Sequence, residues 1–383
     1  MSWESVRLNK IIEVKKGKYI TRKESIPGPY PVILGGREPA YYINQFNHTG
    51  KAIVVSRSGA SAGYVSFWNE PIFVTDGFLI EAKETVNIDF LYYLMKSCEN
   101  QFLGLQGGSA IPHVTPKTIG NVEVKLPSLE KQVKIVDILL MYDKLIENNQ
   151  KQIKLLEEAA QRLYKEWFVD LRFPGYEDTP IVDGVPEGWQ KTNIGEFLSV
   201  RSGYAFKSSW WQKEGYPVVK IKDISNNTVD ISGVDYVSPD KTLKIPEFKL
   251  RKGDIVIAMT GATIGKIGLV PEVENLYTNQ RVGKFFPKNE LTNPSPFVFC
   301  FYNQKKIIDK IIALSSSSSA QPNISGGQLE SFEVIANVDI INEFCVVAQP
   351  LFEKIHVLYR ENSILIQARD RLLPKLMNGE IEV

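Results

Sequence analysis

One long helical pattern limits the fold of this chain more than any other feature. No glycine or proline occurs from Ser128 to Asp170, and Pro127 and Pro174 stand on either side of the stretch. Apolar side chains recur within it at steps of three and four residues, which is the pattern of a narrow coiled-coil seam. A helix of this length cannot cover its own seam, so the sequence predicts a second long helix as its partner.

The second long helix is predicted from Asp339 to Met377, where apolar residues recur at the same steps. Pro350 lies inside this stretch, and it should either kink the helix or mark its real start. The predicted seam takes apolar residues from both helices: Leu129, Val133, Val136, Leu140, Ile146, Ile153, Leu156, Leu163, Phe344, Val347, Leu351, Ile355, Leu358, Leu365 and Leu372.

The blocks that precede the two helices repeat one another. Three pairs of segments align: Trp3–Ile20 with Trp189–Phe206, Ala52–Gly63 with Asp254–Gly265, and Gly107–Thr115 with Ser317–Ser325. In the second pair, Gly59 and Gly63 fall on Gly261 and Gly265. Self-similarity of this kind predicts a tandem duplication of the whole unit.

Each of the two blocks is predicted to form a mainly β domain, because short runs of β-branched and aromatic residues alternate with glycine, proline and asparagine. The predicted fold class is α+β, with two tandem mainly-β domains separated by two long antiparallel helices. The helices are expected to form a coiled coil, and the whole is expected to be pseudo-twofold. The predicted boundaries are 1–127 for the first domain, 128–170 for the central helix, 171–188 for a linker, 189–337 for the second domain and 338–383 for the last helix.

The charge of the chain is too balanced for a free-standing nucleic-acid binder, which usually needs a strong basic face. The net charge is +1, although residues 1–127 carry 14 Lys and Arg against 11 Asp and Glu. A basic cluster lies near the start of the chain: Lys15, Lys16, Lys18, Arg22 and Lys23. If the partner is nucleic acid, other subunits are expected to supply part of the attraction for phosphate.

The remaining composition predicts a cytoplasmic protein with no membrane partner. Cys98, Cys300 and Cys345 are scattered, which suits a reducing compartment and argues against a disulfide framework or a zinc site. Trp3 and Arg7 interrupt any secretion signal. No apolar run reaches the length that a membrane-spanning helix needs.

The segment Thr260–Lys266 (TGATIGK) is similar to a phosphate-binding loop but departs from its pattern. Three residues separate its glycines where the motif has four, and Ile267 stands where Ser or Thr should bind magnesium. The segment also joins two predicted strands. It is therefore interpreted as a tight hairpin whose glycines need positive φ.

Other catalytic patterns are equally weak. Asp240, Glu247 and Lys249 spell a nuclease-like pattern, but Pro246 breaks the gap and the first domain has no equivalent, so we interpret it as chance. The chain also lacks a glycine-rich cofactor loop and the Asn/Asp-Pro-Pro-Tyr/Phe run of adenine methyltransferases. We therefore predict no catalytic residue, and no cofactor bound by this chain.

The histidines predict no metal site either. His48, His113 and His356 include no pair at metal-ligand spacing. His113 aligns with Asn323 in the second copy, and a position that takes either residue suits a hydrogen-bonding tip. A satisfied polar residue in a loop is the equally weighted alternative.

The serine run Ser315–Ser319 has two interpretations. It is either a flexible loop or a small-residue loop that allows close approach to a ligand. The segment Gln106–Ser109 (QGGS) stands at the equivalent place and slightly favours the second interpretation.

Two similar domains on an antiparallel helix pair suit a pseudo-twofold target, and duplex DNA is the commonest. Arginine can read guanine bidentately, while Asn or Gln can read adenine. Polar and cationic loop residues are therefore candidates for DNA contact, together with the basic cluster: Arg22, Lys23, Arg37, Arg57, Ser58, Ser61, Gln106, Ser109 and His113 in the first copy, and Tyr204, Lys207, Lys220, Lys222, Thr260, Thr263, Lys266, Asn279, Gln280, Arg281, Gln321 and Asn323 in the second. More than half of them are expected to be phosphate contacts or solvated surface residues.

The order of these features resembles the specificity subunit of type I restriction–modification enzymes. The resemblance covers the full length and rests on soft motifs in a fixed order: Gly35–Gly50, Ser202–Trp211, the paired hairpins, the A-x-P loops before each helix, the helix opening at Leu126, and Arg369–Ile381. The serine run Ser315–Ser319 is a departure from the family pattern.

The resemblance implies a non-catalytic DNA-reading subunit of a larger enzyme. Its two target-recognition domains would each read one half of a bipartite, asymmetric site, with the helices as spacer and docking surface. Two methyltransferase subunits using S-adenosylmethionine would methylate adenine in each half, which requires base flipping. Two motor–nuclease subunits using ATP and magnesium would cut unmodified DNA.

Two alternatives remain open from the sequence. One is the targeting subunit of a related restriction enzyme in which methylase and nuclease share one polypeptide. The other is a duplicated β-rich protein that binds a protein or a glycan. The second alternative predicts no DNA binding and no methyltransferase partner, and the basic cluster counts against it.

Overall fold

The computed structural model describes residues 3–104, 113–288, 290–315 and 322–383. The chain divides into two compact units: unit 1 comprises Met1–Glu147 with Ser363–Val383, and unit 2 comprises Asn148–Asn362. Each long helix therefore contributes one segment to each unit. Both units mix helices with sheets, and the predicted α+β class is confirmed.

Within the described residues, unit 1 has nine strands and four short helices. The strands are β1 (Glu4–Arg7), β2 (Ile12–Lys16), β3 (Pro27–Ile33), β4 (Tyr41–Ile43), β5 (Ala52–Ser56), β6 (Val65–Trp68), β7 (Phe73–Val74), β8 (Gly77–Ala82) and β9 (Glu123–Leu126). The helices are α1 (Leu8–Ile11), α2 (Ile88–Ser97), α3 (Glu99–Gly104) and α4 (Pro116–Gly120). The first long helix, α5, spans Leu129–Phe168.

The main sheet of unit 1 is built around β5, whose five residues AIVVS are all buried. The main sheet has the order β2-β8-β5-β6, and every pairing in it is antiparallel. A second sheet has the order β4-β3-β7, in which β3 and β7 run parallel. Because β5 is covered on both faces, its sequence is a nearly continuous run of apolar residues and does not alternate between apolar and polar residues.

Unit 2 has the remaining strands of the described residues. They are β10 (Ile181–Val182), β11 (Val185–Pro186), β12 (Gln190–Asn193), β13 (Leu198–Ser202), β14 (Trp211–Gln212), β15 (Tyr216–Val219), β16 (Ile224–Ser225), β17 (Thr228–Val229), β18 (Asp235–Val237), β19 (Ile255–Ala258), β20 (Ile267–Leu269), β21 (Tyr277–Thr278), β22 (Val282–Pro287) and β23 (Glu333–Ala336). Its helices are α6 (Ser295–Tyr302), α7 (Lys305–Ser315) and α8 (Gly326–Glu330), and α9 (Val338–Asn378) is the second long helix.

The two units share one topology, as the predicted duplication requires. The strand order β13-β22-β19-β20 in unit 2 matches β2-β8-β5-β6 in unit 1. The order β18-β15-β21 matches β4-β3-β7, again with one parallel pairing, between β15 and β21. Unit 2 adds β14, β16 and β17 to these sheets, and β16 and β17 lie in the stretch between Val218 and Asp254 where its sequence is longer.

In unit 2 the segments of α5 and α9 pack antiparallel. Asn149 donates to Glu361 at 3.3 Å, and the ring centroids of Tyr164 and Phe344 are 5.9 Å apart. Partner numbers fall along α9 as they rise along α5, so the helices run in opposite directions. Phe297 of α6 also packs on Tyr164, with ring centroids 5.6 Å apart.

In unit 1 the two helices meet through a polar contact next to an apolar core. The carboxylate of Asp143 on α5 accepts hydrogen bonds from Arg369 of α9 at 2.7 Å and from Tyr93 of α2 at 2.5 Å. Leu139 of α5 and Leu376 of α9 belong to the same buried cluster. Burial, together with the hydrogen bond to Asp143, raises the pKa of Tyr93.

The predicted seam is partly wrong. Leu129, Val133 and Val347 are exposed, whereas Val136, Ile146, Ile153, Phe344, Ile355 and Leu358 are buried, and Leu140, Leu156, Leu163, Leu351, Leu365 and Leu372 are partly buried. The helices pack on the β domains as well as on each other, so the buried stripe is wider than a coiled-coil seam and turns along the helix. The first turns of α5 bury Gln132 and Ile135 in place of Leu129 and Val133.

Pro350 does not begin the second helix. Helix α9 starts at Val338 and continues through Pro350 to Asn378, so the prediction of a helix start at Pro350 is wrong. The exposed position of Pro350 keeps its ring away from the packed face. None of the helices in the described part of the chain is long and apolar enough to span a membrane.

Candidate nucleic-acid interface

The two units carry the same glycine-dependent hairpin. In unit 1 it joins β5 to β6, and Gly59 and Gly63 have φ of +81° and +92°. In unit 2 it joins β19 to β20, and Gly261 and Gly265 have φ of +75° and +80°. These are left-handed conformations that glycine adopts without steric cost. The prediction of a tight hairpin at Thr260–Lys266 is confirmed.

The backbone hydrogen bonds of the two hairpins also correspond. Gly63 N donates to Ser56 O at 2.8 Å, and Gly265 N donates to Ala258 O at 2.9 Å. The segments that begin at His113 and Pro322 then close on the hairpins: Val114 N donates to Arg57 O at 2.9 Å in unit 1, and Ile324 N donates to Met259 O at 3.0 Å in unit 2. Each unit therefore presents a hairpin end held by a fixed backbone frame.

In unit 1 the hairpin end gathers five residues from four parts of the chain. We call Gly35, Arg57, Ser58, Asp76 and His113 the unit-1 tip. Ser58 and His113 form an isolated antiparallel bridge, and Ser58 Oγ donates to the carboxylate of Asp76. Arg57 Nη1 lies 3.8 Å from Asp76 Oδ1. His113 is therefore held at the hairpin end by its backbone, as is Asn323, with which it aligns; the hydrogen-bonding role of its side chain stays a prediction.

The connection after β2 is held beside the unit-1 tip. Gly17 N donates to Gly77 O at 3.0 Å, and Lys18 N donates to Val74 O at 3.0 Å. A Cβ on Gly17 would lie only 2.6 Å from Val74 O, so the approach needs glycine. Lys18 is thereby placed next to the residues that precede Asp76.

A cation–aromatic group lies near the hairpin of unit 1. The guanidinium carbon of Arg37 is 5.3 Å from the centroid of the Tyr64 ring, and Lys96 Nζ is 4.3 Å from it. Lys96 also pairs with Glu99 at 2.7 Å. Burial raises the pKa of Tyr64, so this phenol stays neutral and serves as an apolar platform for the cations.

Unit 2 gathers the equivalent residues in the same way. We call Ile221, Met259, Thr260, Gln280 and Asn323 the unit-2 tip. Thr260 and Asn323 form an isolated antiparallel bridge, as Ser58 and His113 do in unit 1. Thr263 Oγ1 donates to Ile221 O at 3.4 Å, and Met259 N donates to Arg281 O at 2.9 Å.

Two lysines predicted as DNA contacts in unit 2 are tied to an acid. Asp235 lies 2.8 Å from Lys220 Nζ and 3.3 Å from Lys222 Nζ. Lys220 Nζ also lies 3.6 Å from the centroid of the Trp211 ring. The hydrogen bond from Lys220 holds the pKa of Asp235 below its usual value, so the acid stays charged and offsets part of the lysine charge.

Asn279 and Thr260 have polar atoms turned into the protein. Asn279 is buried, and its side-chain oxygen accepts from Arg281 N at 3.4 Å, so it stabilises the turn before β22. Among the described residues, Thr260 Oγ1 is buried without a hydrogen-bond partner. Gln280 and Arg281 are exposed beside them.

The other candidates lie elsewhere on the two units. Lys15 and Lys16 lie on β2, where Lys15 pairs with Glu81 at 2.6 Å, and the guanidinium of Arg22 lies 6.0 Å from the Tyr41 ring. Lys23 follows Arg22 in the same exposed connection. Ser61 and Lys266 belong to the hairpins, and Tyr204 and Lys207 belong to the connection after β13, where both rings and cations pack near Trp210.

Some predicted residues fall outside the described part of the chain. These are Gln106, Ser109, Gln321 and residues 316–319 of the serine run. Ser315 is described; it ends α7, is buried, and donates to Ile312 O at 2.8 Å.

Sequence reasoning missed the two acids of the interface, Asp76 and Asp235. It searched for residues that attract DNA and passed over the carboxylates that hold those residues. Asp76 could have been found as the counterpart of the candidates Gln280 and Arg281, because it directly follows Thr75, and Thr75 N donates to Ile33 O as Asn279 N donates to Val219 O in unit 2. Asp235 lies in the longer stretch of unit 2, where the alignment offers no counterpart.

The nuclease-like residues lie in turns. Asp240 belongs to the 3-10 turn Pro239–Lys241 and pairs with Lys241 at 2.6 Å, while Glu247 belongs to the turn Pro246–Phe248. Across the described ranges, no group of three or more His, Cys, Asp or Glu residues could hold a metal ion. The three cysteines are free thiols in buried positions.

Comparison with known proteins shows which family has this architecture. The family model of the type I restriction modification DNA specificity domain matches residues 1–158 and again residues 186–336. The type I restriction enzyme MjaIX specificity subunit of Methanocaldococcus jannaschii is 28% identical over 350 residues, which cover 87% of this chain and 78% of that protein. The MjaVIII specificity subunit of the same organism is 26% identical and covers 100% of this chain and 93% of its own.

The fold is also that of a solved structure. The crystal structure of the S subunit of a type I restriction–modification system from M. genitalium superposes with a TM-score of 0.56 at 20% sequence identity. The match covers 98% of this chain and 96% of that chain. With two matches to the family model along its length, the chain belongs to the type I restriction–modification DNA specificity family and carries its domain twice.

Proposed function

We propose that this chain is the DNA-recognition subunit of a type I restriction–modification complex that reads a bipartite, asymmetric site. The two target-recognition domains, 1–127 and 189–337, each take one half of the site. One observation carries the proposal: the same hairpin frame occurs twice, and each copy holds a different set of polar side chains at its end. A duplicated frame with unlike ends suits two half-sites of unlike sequence.

The proposed mode of reading is direct contact in the major groove, with phosphate contacts to hold the register. Ser58, His113 and Gln280 offer hydrogen-bonding groups, and Arg57 and Arg281 offer exposed guanidinium groups. Side chains of these types distinguish base pairs by their donor and acceptor patterns. Lys16, Lys18 and Lys23 are exposed and are assigned to phosphate, which fixes position without reading sequence.

The chemistry of the complex is assigned to its partners. Two methyltransferase subunits with S-adenosylmethionine would methylate adenine, and two motor–nuclease subunits with ATP and magnesium would cut unmodified DNA. The helices present apolar side chains that the units leave exposed, among them Met141 and Leu145 in unit 1 and Val346 and Val357 in unit 2. Exposed apolar groups on a helix favour a protein partner, and the methyltransferase subunit is the one proposed.

Reconstitution with the methyltransferase subunit of the same system tests this proposal. Methyl transfer from labelled S-adenosylmethionine to adenine in host DNA is expected only when this chain is present. The methyltransferase alone serves as the control. Stable co-purification without any DNA methylation, or no association at all, would contradict the proposal, and the latter would favour a β-rich protein that binds another protein or a glycan.

The long helices are proposed to set the distance between the half-sites. Forty residues of α5 correspond to about 60 Å at about 1.5 Å per residue. One heptad inserted after Glu147 in α5 and one after Asn362 in α9 falls between the contacts of the two units. The gap in the recognised site should grow by about 10 Å, or about three base pairs.

A matched control separates helix length from chain length. Seven residues inserted after Asp183, in the exposed turn between β10 and β11, should leave the recognised gap unchanged. Methylated sites can be mapped by sequencing for all three chains. If the heptad variant keeps the original gap while it still methylates DNA, the helices are not the spacer.

A further inference from the structure

The unit-1 tip holds an arginine in an unusual setting for a simple phosphate contact. Arg57 follows β5 directly, so a buried strand fixes its backbone. Its side chain is 58% exposed, yet Nη1 lies 3.8 Å from Asp76 Oδ1. Arg57 N also donates to Asp76 O at 3.4 Å. The guanidinium thus has a defined partner while it remains accessible from solvent.

Asp76 is itself held in place. One carboxylate oxygen accepts from Ser58 Oγ, while the other faces Arg57. Gly35 closes the remaining side: a Cβ at this position would lie 2.6 Å from Ser58 O and 3.5 Å from Asp76 Oδ2. The absence of a side chain at Gly35 therefore allows the two loops to pack, and the carboxylate is positioned before any ligand binds.

The carboxylate decides which ligand suits Arg57. A phosphate that approached this guanidinium would also approach the negative charge of Asp76, and like charges at short range repel. The O6 and N7 edge of guanine is neutral and offers two acceptors that match the two parallel N–H groups of arginine. An arginine that is already oriented also loses less side-chain entropy when it binds.

The unit-2 tip lacks this arrangement. Met259 takes the place of Arg57, and Thr260 that of Ser58. Gln280 and Arg281 stand where unit 1 has Asp76, because Met259 N donates to Arg281 O as Arg57 N donates to Asp76 O. An apolar side chain thus replaces Arg57, and neither Gln280 nor Arg281 offers a carboxylate. The second half-site therefore cannot be read in this way by the equivalent residues.

We infer that Arg57, oriented by Asp76, is a specificity-determining residue that reads one guanine in the half-site bound by unit 1. The inference rests on the proposed function and deepens it. It assigns Asp76 as a positioning residue, since this carboxylate acts through Arg57. It also assigns the asymmetry of the recognised site in part to the replacement of Arg57 by Met259 and of Asp76 by Gln280 and Arg281.

Binding selection on the assembled complex tests the inference. The chain with its methyltransferase subunits is mixed with duplexes in which each position of the methylated site is randomised in turn, and bound DNA is sequenced. Arg57→Ala should lower the preference for guanine at one position of one half by roughly 5- to 150-fold, the range for a lost bidentate contact. Every position of the other half should keep its preference.

Three further variants sharpen the result. Asp76→Asn keeps the shape but removes the charge, so it should give a smaller loss at the same position and stronger binding to unrelated duplex. Arg57→Lys keeps the charge but not the planar fork, so guanine preference should fall while overall binding persists. Arg172→Ala is the matched control, because Arg172 is 59% exposed, lies 3.5 Å from the carboxylate of Glu166 and belongs to neither tip.

The outcomes separate the inference from the function on which it rests. If Arg57→Lys and Asp76→Asn bind with unchanged preferences at every position, Arg57 contacts phosphate and the inference is wrong. It is equally wrong if all Arg57 variants lose binding to every duplex while their unfolding temperature is unchanged, since a base contact affects one position. If the wild-type complex selects no sequence at all, the proposed function fails first.

Discussion

The two hairpins have the same backbone conformation, but they carry different side chains at their ends. In unit 1 the end carries Arg57 and Asp76, and in unit 2 the corresponding places carry Met259 and the pair Gln280 and Arg281. Both hairpins nevertheless use two glycines at positive φ and the same closing hydrogen bonds. The frame requires particular backbone conformations. The side chains at the hairpin ends face solvent, so packing restricts the choice of residue there much less. Duplication followed by change at the ends alone would therefore alter what is bound without altering the fold.

The contacts of α5 differ between the units in a similar way. Asp143, in unit 1, meets a cation, because Arg369 Nη1 lies 2.7 Å from its carboxylate. Glu157, in unit 2, meets neutral partners, with Asn227 Nδ2 at 3.0 Å and the hydroxyl of Tyr359. One carboxylate is compensated by charge and the other only by hydrogen bonds. Removal of the charge should therefore have opposite consequences in the two units.

The largest expected effect tests whether the frame is the same in both units. Gly17→Ala would place a Cβ 2.6 Å from Val74 O, and Gly203→Ala would place one 2.5 Å from Asn279 O. Each variant should lose about 2 kcal/mol or more, because the obstacle is backbone that cannot move aside. Chemical denaturation measures the loss.

Glycines in open space provide the controls for this pair. Gly36 and Gly233 have room for a Cβ, so their replacement by alanine should change stability by no more than about 0.5 kcal/mol. A severe effect in one unit and none in the other would show that the two frames are not equivalent.

The next effect concerns the charged contact in unit 1. Asp143→Asn leaves Arg369 without its carboxylate and weakens the hydrogen bond from Tyr93. Both partners are partly buried, so a loss of about 1 to 2 kcal/mol is expected after allowance for solvent screening. Asp137→Asn, on an exposed position of the same helix, is the control for a change of net charge. Equal stability of the two variants would contradict the assigned role of Asp143.

A smaller effect separates the two hydroxyl residues of the hairpin ends. Ser58→Ala removes the hydrogen bond to Asp76 and should cost about 1 kcal/mol. Thr260→Val removes a buried oxygen that has no partner among the described residues, so stability should stay level or rise by up to about 1 kcal/mol. Thermal unfolding of both variants measures the difference. Equal destabilisation would mean that the two positions have the same environment.

The smallest effect is a pH dependence from Glu157 in unit 2. Burial raises its pKa above the value in the unfolded chain, so the protonated form is favoured in the fold. The stability that it contributes is fully present below its unfolded pKa of about 4.5 and is lost as pH rises through the folded pKa. Glu157→Gln should therefore gain stability relative to wild type between pH 4 and pH 7. Parallel stability curves for the two proteins would contradict this.

The sequence predicted the parts of the fold that depend on local rules. A stretch without glycine or proline from Ser128 to Asp170 predicted α5, which spans Leu129–Phe168. The repeated glycines predicted both hairpins, because positive φ is a local requirement that glycine meets. The duplication predicted two similar domains, and the two units do share one strand order, since a copied sequence folds in a copied topology.

Local sequence patterns could not predict the contacts between segments that lie far apart along the chain. Gln132 is fully buried, where it accepts a hydrogen bond from Asn87 N at 2.8 Å and donates one to Pro127 O at 3.0 Å. Because Gln132 is polar, the periodic pattern of apolar residues does not include it. Asp76 meets Arg57 across the sheet, and no periodicity joins them. The seam prediction failed at Leu129 for the same reason, because the neighbouring β domain decides which face of the helix is covered.

We propose that the chain directs methylation to a split site with unlike halves. Sequencing of adenine methylation across the host genome, with the chain intact and with its gene deleted, tests this most directly. We expect an asymmetric bipartite motif, methylated in both halves, that disappears on deletion and returns when the gene is restored. In a host that expresses the methyltransferase subunit, a methylation pattern that is unchanged by deletion would contradict it.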